Sequence, residues 1–162
     1  MPSPRGWTQL LGIAALALAI AGCRKGVPVP DGDVAASLTL PSATDAPFDP
    51  ASLHGKPTLV MFASPTCGHC NAELPVAQRA AASTQSNLVA VYVVGAKQHA
   101  ASVTKSARFE APVLVDDGTL RKRYEITAVP YLLVLGPDGH ARQAFRGEQD
   151  ETTLVAALAS AR

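Results

Sequence analysis

The chain has 162 residues, enough for one domain and a short appendage. Charged residues make up 17% and aromatics 5%, with a formal net charge of +1. That composition excludes a basic, aromatic-laced surface for nucleic acid and strong steering toward an anionic partner. Hydrophobic residues at 48% exclude disorder throughout. Cysteines number three, so the position of the odd one carries information.

The N-terminus reads as a targeting signal. Arg5 gives a positive start, and Leu10 to Gly22 (LLGIAALALAIAG) holds nothing more polar than glycine. This run is shorter than the roughly 20 residues that span a bilayer and fits the apolar region of a secretory signal. Ile20-Ala21-Gly22-Cys23 resembles the lipobox of bacterial lipoproteins, an aliphatic residue and two small ones before cysteine. The resemblance implies a signal peptide over residues 1–22 and a lipid-modified Cys23 at the mature N-terminus. Arg24, rather than Asp, follows the cysteine; by resemblance to enterobacterial sorting this favours the outer membrane. With Arg5 removed, acidic and basic residues balance. Residues 23–37, with Gly26, Pro28, Pro30 and Gly32, read as a flexible tether reaching about 20 Å.

Residues 38–162 read as globular. Leu38–Leu40 fits a short edge strand, and 47–57 a turn-rich approach. Thr58–Ala63 (TLVMFA) is a continuous apolar run, the pattern of a strand buried on both faces. Gly68 to Thr84 predicts a helix, Leu88–Val94 a second buried strand, and Gln98–Phe109 another helix. Pro112–Val115 fits a short strand and Thr119–Tyr124 a helical turn. Tyr131–Leu135 and Ala141–Phe145 flank Pro137-Asp138-Gly139, a strong turn signal, and read as a hairpin. Asp150 fits the N-cap of a last helix whose Leu154, Leu158 and Ala161 share one face. This order predicts an α/β domain with a central sheet and helices on both faces.

The chemistry concentrates in Cys67-Gly68-His69-Cys70. A CxxC admits half a zinc site, a haem attachment, a structural disulfide or a redox pair. Structural zinc asks for four ligands, and His54, His99 and His140 are scattered. Haem attachment puts His directly after the second cysteine, where Asn71 stands. Position favours redox chemistry. The strand ends just before Ser64-Pro65-Thr66, Thr66 fits the helix N-cap, and the cysteines open the helix. Unpaired amides and the helix dipole favour an anionic sulfur there. The i, i+3 spacing puts both sulfurs on one face, within disulfide reach. Cys67, at the exposed end, is the expected attacking thiol, and Cys70, one turn inward, the resolving one. His69 is placed to tune the pair. About 1.4 kcal/mol of thiolate stabilisation raises a two-electron potential by about 30 mV. With the spare cysteine assigned to the lipid, this pair sits outside the cytosol, where disulfide exchange is at home.

FASPTCGHC, ITAVPYLLVLGPDG and FRGEQDETTLVAAL together resemble the thioredoxin superfamily. Cys67-x-x-Cys70-x-x-Glu73-x-Pro75 and Leu53-His54-Gly55-Lys56-Pro57 resemble its TlpA/ResA-like group of envelope thiol–disulfide oxidoreductases. Ser64-Pro65-Thr66-Cys67 is also similar to the maturation factor of methylamine dehydrogenase. The resemblance implies a thioredoxin-like fold: a central mixed sheet with helices on both faces, a βαβ unit followed by a β-hairpin and a C-terminal helix. It implies a cis Pro130 facing the cysteines, with the backbone of Val129 pairing with a substrate strand. It also implies that Glu73 tunes the pair and that Pro75 kinks the helix. Two departures stand out. Ala63 and Thr66 replace the aromatics that flank the first cysteine, and Met61 replaces the acid of cytosolic thioredoxins.

The resulting expectation is a monomeric, lipid-anchored thiol–disulfide oxidoreductase facing the periplasm, acting as a reductase without cofactor or metal. Its partners are client proteins bearing disulfides or thiols, apocytochromes c among them, and no nucleic acid. A membrane thiol carrier of the DsbD/CcdA kind recharges it. The Gly-His dipeptide resembles protein disulfide isomerase, so an oxidase or isomerase is the alternative. The second alternative is a copper chaperone on the same fold. The Sco group spaces its cysteines by three residues and needs a distal His, which this sequence lacks. A peroxidase of this fold wants Pro where Val60 stands.

Overall fold

A computed structural model describes residues 27–44, 46–93 and 97–162. The apolar run 10–22 and the lipobox with Cys23 lie outside the described residues. No described helix is long and apolar enough to cross a membrane.

The elements in chain order are α1 (Val34–Ser37), a 3-10 turn (Pro50–Leu53), β1 (Thr58–Ala63), α2 (Gly68–Ser83), β2 (Asn87–Tyr92), α3 (Lys97–Ser106), β3 (Val113–Val115), α4 (Thr119–Arg123), β4 (Tyr131–Leu135), β5 (Ala141–Arg146) and α5 (Glu151–Ser160). The strands form one sheet in the order β3-β2-β1-β4-β5. β1, β2 and β3 run parallel, while β4 and β5 run antiparallel to their neighbours. The sheet is therefore mixed, as the βαβ unit and hairpin require.

Every residue of β1 is buried, because this central strand is covered twice. Leu59, Met61 and Ala63 pack under α2 and α5, with Leu74, Ala77, Leu154 and Leu158. Val60 and Phe62 face the opposite layer, with Val34, Leu38, Leu53 and Leu120. The strictly alternating side chains of a strand explain how one continuous apolar run serves two cores. Asp150 caps α5, accepting from the Thr153 amide at 2.8 Å. α2 runs unbroken through Pro75.

Three local expectations are corrected. The tether reading of 23–37 fails from Pro28 onward. Tyr131 Oη donates to the Pro28 carbonyl at 3.2 Å, and Val34 and Ala35 are fully buried. The Asp33 carboxylate makes this possible. It caps α1 by accepting from the Ala36 amide at 2.9 Å and contacts His54 Nε2 at 3.1 Å. The Val34 and Ala35 amides donate to the Gly139 carbonyl at 3.0 and 3.2 Å. Gly139 has φ +79°, and a Cβ there would collide with the Asp33 carboxylate, so only glycine fits the hairpin turn under this strap. Second, Leu38–Leu40 forms no strand; Leu38 is a core residue at the end of the strap. Third, the cap of α2 is Cys67, not Thr66, as described below.

A chain beginning at Leu38 should therefore be less stable than one beginning at Val27. Burying one valine is worth about 1.5–3 kcal/mol, so urea unfolding of the shorter chain is expected to show a loss of at least about 2 kcal/mol. Equal midpoints would show that the strap contributes nothing.

Candidate active site

β1 delivers the chain at Ala63 to a tight turn in which the Cys67 amide donates to the Ser64 carbonyl at 3.1 Å. The Thr66 hydroxyl pairs with Ser64 Oγ at 3.1 Å and leaves the helix amides to another group. That group is the Cys67 sulfur. Cys67 has extended backbone angles, φ −92° and ψ 110°, and its Sγ accepts the Cys70 amide at 3.1 Å. The Asn71 amide meets the Cys67 carbonyl at 3.1 Å and starts the helical ladder. The sulfur thereby takes the place of the side-chain oxygen that usually accepts an orphan amide at a helix start.

Both cysteines are free thiols, and they differ in surroundings. Cys67 is half-buried at the mouth, whereas Cys70 is fully buried one turn inward. Burial pushes the Cys70 thiol up to about 12. The Cys67 sulfur beside it adds to the rise, and a backbone hydrogen bond at Ser64 opposes it. The pair thus holds one sulfur in reach of a partner and one kept as a thiol beneath it.

Cys67 Sγ lies 3.8 Å from the Val129 carbonyl oxygen, and the Val129–Pro130 peptide bond is cis. Two segments 62 residues apart therefore share one surface, and that surface carries the expected residues Val129 and Pro130. The Pro130 carbonyl accepts the Gly147 amide at 2.9 Å, tying the proline loop to the β5–α5 connection.

Glu73 is not a surface charge; it is almost fully buried, at 1% exposure. Its Oε2 accepts the Gln149 amide at 3.1 Å, and its Oε1 has no partner among the described residues. Burial holds its carboxyl above the usual range, with Glu148 and Asp150 adding to the rise and the Gln149 amide working against it. His69 is the opposite case. Its side chain is 78% exposed, and its Nδ1 lies 3.2 Å from Glu148 Oε1. Gly68 is exposed, and a Cβ there would meet nothing, so space alone does not demand glycine.

The Gly147–Asp150 loop is the feature the sequence did not flag. It contacts the proline loop, Glu73 and His69 through three consecutive residues. Tyr92 was also missed. It is read from the sequence as one more apolar strand position, yet its buried hydroxyl has no partner among the described residues. Among those residues no grouping of His, Cys, Asp or Glu has the arrangement of a metal site.

Comparison with known proteins agrees with this geometry. Residues 45–162 match the family model of a thioredoxin-like domain. The soluble secreted antigen MPT53 of Mycobacterium tuberculosis is 33% identical over 162 residues, covering 92% of each chain. The methylamine utilization protein MauD of Methylophilus methylotrophus is 27% identical over 85 residues, covering 52% of this chain and 40% of the relative. A secreted Mycobacterium tuberculosis disulfide oxidoreductase, homologous to Escherichia coli DsbE, superposes with a TM-score of 0.70 at 26% identity. The match covers 80% of this chain and 99% of that one.

Glu73 makes stability depend on pH in a defined direction. Its folded value lies above its unfolded one, so its favourable contribution is complete below the ordinary carboxylate range and is lost as pH rises through the folded value. Glu73→Gln stays neutral and keeps an acceptor for Gln149. Urea unfolding at pH 4, 6 and 8 should show the variant gaining on the parent as pH rises. Parallel pH profiles would contradict the buried carboxyl.

Proposed function

The chain belongs to the thioredoxin-like family and is a thiol–disulfide oxidoreductase; on that premise we propose that it reduces client disulfides in the bacterial cell envelope through Cys67 and Cys70. The observation that carries this reading is the split environment of the two sulfurs. Cys67 meets the surface beside Val129, and Cys70 is buried beneath it. Cys67 attacks a client disulfide while the client backbone pairs with Val129 across the cis-proline loop. Cys70 then displaces the client and closes the protein disulfide.

The reducing direction is supported by Cys70. A stabilised thiolate favours the reduced pair and makes a disulfide oxidising. The burial that pushes Cys70 up to about 12 withholds that stabilisation from the second sulfur. Clients include apocytochromes c, and a membrane dithiol carrier of the DsbD/CcdA kind returns electrons to the pair. His69 and Glu73 tune the exchange. The signal over 1–22 delivers the chain outside the cytosol, and a lipid on Cys23 anchors it. The apolar run and small-residue exit support both the signal and the anchor, and relatives described as secreted support the signal.

Two experiments test it. Equilibration with glutathione buffers should give a potential near the roughly −270 mV of thioredoxin; a value near the roughly −180 mV of protein disulfide isomerase would overturn the reductase direction in favour of an oxidase or isomerase. Cys67→Ser should abolish turnover of an insulin or glutathione disulfide, whereas Cys70→Ser should accumulate a mixed disulfide. Anchoring is tested separately. Cys23→Ser expressed in a bacterial host should move from the membrane to the soluble periplasmic fraction, and an unchanged distribution with no lipid mass on Cys23 would remove the anchor from the proposal.

A further inference from the structure

Tyr92 is the last residue of β2, paired with Ala63 of β1 and Val115 of β3. Ala63 is the residue at which the chain leaves the sheet for the cysteine turn. Leu88, Ala90 and Tyr92 point to the layer of α2, and Tyr92 shares one buried cluster with Ala63, Cys70 and Leu74. Its ring thus packs in the buried layer that also holds Cys70. The residue is 1% exposed, and its hydroxyl has no partner among the described residues. Phenylalanine would fill nearly the same volume without burying an unpaired hydroxyl, which is unfavourable and uncommon in native structures. The phenol's ionisation is pushed up to about 12, by burial first and then by the negative charge of an ionised Cys70. It therefore keeps its proton at neutral pH and is an unused donor in the buried cluster that also holds Cys70. Met61, in the family's acid position, is fully buried in the same cluster and offers the sulfur no proton.

We propose that Tyr92 serves the resolution step directly, its hydroxyl, unpaired in the resting structure, turning to donate a hydrogen bond to the Cys70 sulfur as negative charge develops there during resolution of the mixed disulfide. The inference rests on the reading of Cys70 as the resolving thiol. In that step the Cys70 sulfur forms a bond to the Cys67 sulfur. The bond from Cys67 to the client sulfur breaks, and the client sulfur leaves with the electron pair and takes up the proton that Cys70 gives up. The two cysteines are oxidised by two electrons, and the client disulfide is reduced by the same two. Tyr92 transfers nothing. It offsets the burial of charge on Cys70 while the bond forms.

The test uses the full chain with oxidised glutathione as probe, following the Cys67–glutathione adduct by acid quench and mass spectrometry. Tyr92→Phe should leave formation of the adduct unchanged. It should slow decay by about two- to tenfold, the range of one lost hydrogen bond, and move the pH dependence of decay upward. A Tyr92→Phe variant with parental decay and pH profile overturns the inference. Replacing Tyr92 by 3-fluorotyrosine keeps the ring and strengthens the donor, so decay should speed up or move to lower pH; no movement in either direction also overturns it. Cys70→Ser is the reference. If its adduct decays as fast as the parent's, the resolving role of Cys70 has failed, and the inference fails with it for a distinguishable reason.

Discussion

The helix bearing the cysteine pair is capped by sulfur. A serine or aspartate at that position would satisfy the orphan amides with oxygen and leave the helix chemically inert. With Cys67 as cap, the hydrogen bond from the Cys70 amide at 3.1 Å ties the start of the helix to the Cys67 sulfur. It also fixes the geometry of the pair. The capping sulfur sits at the mouth, and the next sulfur on the same face is carried inward by one turn, where burial holds it as a thiol. The unequal surroundings of two identical side chains follow from one capping contact, and the rest of the domain supports that contact. β1 is buried on both faces and so delivers the turn from a rigid base.

A second constraint assembles the site from distant segments. Gly147 bonds the proline loop, Glu148 meets His69, and the Gln149 amide meets Glu73. Asp150 then caps α5, whose Leu154 and Leu158 pack in the core beneath α2. The loop thus connects the cis-proline segment, the CxxC residues and α2 through four consecutive positions. A shift of α5 would be felt at Glu73 and Pro130 together, because their partners are neighbours in one short loop.

The fold was legible because its signals are long and local. Continuous apolar runs at 58–63 and 131–135, the Pro-Asp-Gly turn and the Asp150 cap mark elements by chemistry that acts within a few residues, and each lies within a residue or so of its expected bounds. The cysteines and Pro130 were legible from motif resemblance, and their contact across 62 residues was not legible from spacing alone. The tether failed as an expectation for a physical reason. Gly and Pro in 26–32 are compatible with coil, but the carboxylate of Asp33 finds an amide in its own turn and a histidine ring from residue 54. Likewise Glu73 reads as a helix charge until a loop amide from residue 149 encloses it. Long-range polar partners leave no periodic trace, which is also why Tyr92 passes as one more apolar position in β2.

Met61 changes how charge is managed beneath the pair. An acid on β1 would place an ionisable group directly under the sulfurs, and its charge would oppose the formation of any thiolate. Here the strand offers only thioether and methyl groups. The polar groups stand to either side, Glu73 toward the β5–α5 loop and Tyr92 on β2. Burial disfavours the charged form of both. The dipoles that meet the two sulfurs are therefore neutral ones: the Cys70 amide at Cys67 and the Ser64 backbone at Cys70. Such an arrangement lets charge move between the sulfurs during exchange without a fixed buried anion opposing it at either one.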